Sequence, residues 1–127
     1  MRTSILLLFV CGWCAVGCGR SLPPLEEGQT AERWIEELKS DKTPVRVKAV
    51  KKLGTISSRD AEAMPAIFDA LKDKEPLVRR EAIYAIARNR TVSSDGWPLL
   101  EEMKDKDSDP EVRKIAAEAF ENLTEQR

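Results

Sequence analysis

No histidine occurs anywhere in the 127 residues. That removes the usual general base near neutral pH and the commonest metal ligand. Cysteine is confined to Cys11, Cys14 and Cys18, so the chain beyond them has no disulfide, thiolate metal site or cysteine nucleophile. Glycine is sparse after that point, at Gly19, Gly28, Gly54 and Gly96, and no glycine-rich phosphate loop can be assembled. Neither sign of charge dominates. Lys plus Arg number 21 against 22 Asp plus Glu, a balance that does not predict a nucleic-acid surface. Hydrophobic residues reach 42%, too many for a disordered chain. The length fits one domain. These absences lead to an expectation of no catalysis and no cofactor; only a serine–lysine or carboxylate mechanism stays open on composition.

The N-terminus carries an uncharged stretch from Thr3 to Gly19 behind the single Arg2. Its apolar heart, from Ile5 to Ala15, is too short for a bilayer-spanning helix, which needs roughly 20 residues. Its length and flanks fit an export signal. The string Cys11-Gly-Trp-Cys14 has redox spacing, but inside an apolar signal it reads as incidental.

The residues Ala15-Val16-Gly17-Cys18 resemble the cleavage box of a bacterial lipoprotein signal, with Ala15 where leucine is favoured. The resemblance implies cleavage before Cys18, a thioether diacylglycerol on that cysteine, and acylation, such as a palmitate, on its amino group. It places the chain in a bacterial cell envelope, lipid-anchored to a membrane; ordinary secretion to the periplasm is the alternative. Residues 1–17 then form the signal and 18–29 a tether. Pro23 and Pro24 favour extended backbone there.

Residues 30–127 are one motif repeated. Val45-Arg46, Val78-Arg79 and Val112-Arg113 align at intervals of 33 and 34 residues. Ala49, Ala82 and Ala116 follow each valine by four, and Leu53, Ile86 and Phe120 by eight. Pro44, Pro76 and Pro110 open these segments, and Asp41, Asp73 and Asp107 precede the prolines. Upstream of each lies another apolar run, around Trp34-Ile35, Ile67-Phe68 and Leu99-Leu100.

Each half-unit has helical periodicity. Val112, Ile115, Ala116, Ala119, Phe120 and Leu123 form one apolar stripe. The pattern predicts helices over 30–39, 44–56, 61–72, 76–89, 95–105 and 110–123, hence repeats near 30–56, 61–89 and 95–123. Thr43 and Asp109 stand before prolines as capping residues, and Gly54 and Asn89 are suitable helix stops. A two-helix unit of this length cannot bury its apolar face alone, whereas stacked copies can. The expected fold is all-α, a right-handed α-solenoid of three helix pairs.

The second copy, from Met64-Pro-Ala-Ile through Pro76-Leu-Val-Arg-Arg-Glu-Ala82, and the third, with Trp97-Pro and Asp109-Pro-Glu-Val-Arg, resemble HEAT-like repeats of the phycobilisome-lyase type. The first copy departs most, with no proline in its first helix and Pro44 shifted by one. The resemblance implies an armadillo-like superhelix whose second helices line the concave side. It implies an interaction or scaffold module, or, by the family's namesake, an accessory or chaperone-like subunit of a lyase or other enzyme.

Arg46, Arg79 and Arg113 recur with Asp41, Asp73 and Asp107, and the set reads as a structural Asp–Arg ladder rather than an anion site. Partly exposed pairs of this kind contribute about 0.2–1 kcal/mol each. Lys48, Lys51, Arg80, Arg88 and Lys114 put positive charge on the second helices, and Tyr84, the only tyrosine, lies between Arg80 and Arg88. These six form the candidate interaction surface. Its partner would be a protein; a nucleic acid enters only if the export signal is spurious. Trp34 and Trp97 are expected in the core, with a contact patch around Trp34 and Ile35 as the alternative. Asp105-x-Asp107-x-Asp109 lacks the turn glycine and distant glutamate of a calcium loop.

Overall fold

The computed structural model describes residues 30–125 apart from 91, 93 and 95. Cys18 and the segments expected to be signal and tether lie outside the described residues. Six helices follow in order: α1 Ala31–Glu37, α2 Thr43–Ile56, α3 Ala63–Ala70, α4 Pro76–Asn89, α5 Gly96–Lys106 and α6 Pro110–Thr124. No strand occurs among the described residues. The helices pair as α1–α2, α3–α4 and α5–α6, giving an all-α solenoid of three helix pairs.

The repeated residues explain the stacking. Ala49, Ala82 and Ala116 are wholly buried. Val78, Ile83, Ile86, Leu53 and Leu100 fill the space between pairs. Each such side chain contributes about 1.5–3 kcal/mol when removed from water. α2, α4 and α6 pack closely on one another, while α1 touches α3 only sparingly. The row of second helices is therefore the shorter, inner row, and the array curves around it. Small residues permit this approach. A β-carbon built on Gly54 would stand 3.0 Å from the Ala85 β-carbon. Gly54 is thus an interior residue of α2, selected for close contact, and not the stop expected of it; α2 runs on to Ile56.

Other boundaries also differ from expectation. The left-handed residue after α4 is Arg90, at φ 52°, rather than Asn89. Asn89 is held helical because its side chain is engaged: Nδ2 donates to the carbonyls of Ala85 (2.8 Å) and Gly54 (3.1 Å), and Oδ1 accepts from the Ser57 hydroxyl (2.8 Å). It ties the end of α4 to the end of α2. Thr43 does not cap α2; it is the first helical residue, Lys42 is the N-cap, and no side-chain cap bond forms. Asp109 does cap α6, accepting from the N–H groups of Glu111 and Val112. α1 and α3 are shorter than their apolar runs, because their last residues turn into tight i→i+3 bonds such as Leu71 N–H to Phe68 O.

The terminal pairs are less sealed. Val45 and Phe120 are half-buried where their counterparts in the middle pair are fully buried. Trp34 and Trp97 pack partly buried against the core. Trp97 meets Phe120 edge-to-face, with centroids 5.5 Å apart.

Candidate functional site

Two features recur across the copies: a ladder of ion pairs between neighbouring pairs, and a solvent-facing row on the second helices.

The ladder has a direction. Arg46 at the start of α2 reaches forward to Asp73 of the next copy, with Nε 2.8 Å from Oδ2 and Nη2 3.0 Å from Oδ1. Arg79 does the same with Asp107, at 2.8 and 2.7 Å. The remaining nitrogen of each fork donates backward, Arg46 Nη1 to Ser40 O and Arg79 Nη1 to Asp73 O, both at 2.8 Å. Each carboxylate also accepts an N–H from two residues on, Glu75 to Asp73 and Asp109 to Asp107. Every rung is thus a bidentate, charge-assisted pair with its spare valences filled.

Exposure separates these rungs from ordinary surface pairs. The Arg79 and Asp107 side chains are 9% and 7% exposed, and those of Arg46 and Asp73 are 5% and 14%. Burial works against the two carboxylates. The fork of Arg46 or Arg79, the backbone N–H and the adjoining positive charge outweigh it, and both pKa values fall below the usual aspartate range. The same hydrogen bonds raise the two arginines against their own desolvation.

The expected ladder is therefore corrected at its ends. Asp41 is exposed and forms no ion pair among the described residues, which include no earlier copy to supply an arginine. Arg113 keeps the backward bond, Nη1 to Asp107 O at 2.6 Å, but meets no carboxylate among the described residues. Asp107 and Asp109 are both committed within this scaffold, to Arg79 and to the α6 cap, rather than to a cation site.

Of the six residues expected on the interaction surface, Lys48, Lys51, Tyr84, Arg88 and Lys114 are exposed and Arg80 is half-buried. Lys51 and Arg88 converge on Glu81, at 3.8 and 3.1 Å. Glu81 has only 12% of its side chain exposed, so it braces α4 against α2 rather than presenting negative charge. Tyr84 is 43% exposed, and Leu77, outside the six expected residues, is 56% exposed. Comparison between copies carried the signal for Leu77, since Pro44 and Glu111 hold its position elsewhere. The two lie seven residues apart on α4 and share a face.

On the opposite, first-helix side, Leu71, Leu99, Glu102, Met103 and Lys106 line a shallow cleft of about 370 Å³. No helix among the described residues is long and apolar enough to cross a membrane.

No curated protein matches the chain. A family model described as HEAT repeats matches residues 31–121, which takes in all three helix pairs. The chain belongs to the HEAT repeat family.

Proposed function

We propose that this chain is a membrane-tethered interaction module that holds a protein partner on its second-helix face and performs no catalysis itself. The observation that carries the reading is that face: an inner row of tightly packed helices bearing exposed Leu77 and Tyr84 among Lys48, Lys51, Arg88 and Lys114. HEAT arrays are built as extended concave surfaces, which suits them to long partners rather than to enclosed small molecules. The tether rests on the sequence alone. A short apolar signal ending in Ala-Val-Gly-Cys18 supports lipidation of Cys18 and residence in the cell envelope.

Two measurements test it. Wild type partitions into detergent with the membrane fraction, and Cys18→Ala appears in the soluble fraction; equal partitioning removes the tether. Affinity capture from solubilised membranes retains a partner with wild type and loses it with the Arg80→Glu/Tyr84→Ala double variant. A partner held undiminished by the double variant moves the binding site off this face.

A further inference from the structure

We infer that the second-helix face takes an acidic protein segment carrying two apolar side chains about 10 Å apart, as seven-residue spacing on a helix provides. This deepens the proposed function and rests on it.

Charge is sorted between the two rows in the first two helix pairs; α6, with exposed Glu111, Glu118 and Glu121 beside Lys114, does not follow the pattern. α2 contains no acidic residue, and its Lys48, Lys51 and Lys52 are all exposed. α4 adds Arg80 and Arg88, and its one acid, Glu81, is sequestered between Lys51 and Arg88. The first helices have the other sign: α1 carries Glu32, Glu36 and Glu37 against Arg33 alone. α3 has Asp69 as its only charged residue. A partner approaching the inner row over α2 and α4 meets positive potential there and a negative rim behind it. Such complementarity selects an acidic ligand and steers its encounter.

The apolar contacts decide which acidic ligand. Leu77 and Tyr84 are the exposed large apolar side chains among the described residues, and both stand on α4, between the lysines of α2 and Lys114 of α6. Cations alone would suit phosphate. An unpaired leucine two turns from a tyrosine serves phosphate poorly and suits aliphatic side chains of a peptide. Tyr84, with a planar ring and few rotors, is the type of residue that dominates interface energy. A flat anionic bilayer fits less well, because the array curves inward on this side.

The test titrates purified full-length protein in detergent into labelled synthetic peptides, read by fluorescence anisotropy. The probe is a glutamate-rich helical peptide with two leucines seven residues apart. The controls are the same peptide with both leucines changed to alanine, a lysine-for-glutamate version, single-stranded DNA, and anionic vesicles read by co-sedimentation. Saturable binding of the probe is expected, weakened roughly tenfold by Leu77→Ala, by Tyr84→Ala and by loss of the leucines. Salt should weaken it further. Asp105→Ala on the first-helix side should leave it unchanged. Circular dichroism of the two surface variants should match wild type. Equal binding of the leucine-free peptide, or stronger binding of the lysine peptide, DNA or vesicles, overturns the inference. A partner from the capture experiment that needs Tyr84 while the acidic probe fails to bind removes the acidic segment but leaves the second-helix face standing.

Discussion

Replacing Asp107 by alanine should unfold this array more readily than any other single surface-loop change. Asp107 takes both forward nitrogens of Arg79, at 2.8 and 2.7 Å, and the N–H of Asp109 at 2.9 Å. Without the carboxylate, Arg79 stays buried by its own backward bond to Asp73 O and keeps a charge that no hydrogen-bonded carboxylate opposes, only the more distant Asp109 and Asp73. Removing one partner of a pair this dry destabilises by about 3–5 kcal/mol, several times the worth of an exposed pair. Domains of this size have roughly 5–15 kcal/mol in total, so the variant should lose at least about a fifth of its stability. Urea titration followed by circular dichroism measures it, with Asp41→Ala as the control. Asp41 is exposed and outside the ladder, so its removal should stay within about 0.5 kcal/mol. A second check uses Arg79→Met/Asp107→Leu, which removes both charges and should recover most of the loss. If Asp107→Ala and Asp41→Ala both cost under about 1 kcal/mol, the ladder is ornamental and the burial argument fails.

Acid should act on the same rungs. Asp73 and Asp107 titrate below their ordinary value in the fold, so their stabilisation is complete above the unfolded-state pKa of about 4 and is lost as pH falls through the lower folded values. Urea midpoints of wild type should therefore fall more steeply below about pH 4 than those of Asp73→Asn/Asp107→Asn, and parallel curves refute this. Gly54→Leu should destabilise by about 1–3 kcal/mol, because even its β-carbon would stand 3.0 Å from that of Ala85. Arg90→Gly should stabilise by about 1 kcal/mol by relieving the left-handed backbone at φ 52°, read as a higher melting temperature.

The periodic parts of this architecture were legible in advance. Three valines and three alanines at fixed offsets, each group opened by a proline, specify both the number of helix pairs and the faces they bury. What the repeat conceals is the relation between copies. Identical Asp and Arg residues in every unit do not say whether an arginine meets its own aspartate or the next one, and so do not reveal that the pairs are buried. Gly54 and Asn89 misled for a related reason. Both have the local chemistry of a helix end, but Gly54 is set by contact with Ala85 and Asn89 by its bonds to α2, which lie about a repeat away in the chain. Leu77 is legible only between copies: within its own apolar segment it resembles core, whereas Pro44 and Glu111 hold the same position in the other units.

The forward-reaching arginine has a consequence for how such an array can lengthen. Each unit brings a carboxylate for the unit before it and a guanidinium for the unit after, so a tandem duplication of the middle copy would arrive with both halves of its joints. A unit appended after the last would not fit as readily. At the positions of buried Ile83 and half-buried Ala87 in α4, α6 offers half-buried Ala117 and exposed Glu121. A new unit is therefore accommodated more readily beside the middle copy than beside α6, which has a hydrophilic flank and an Arg113 that meets no carboxylate among the described residues.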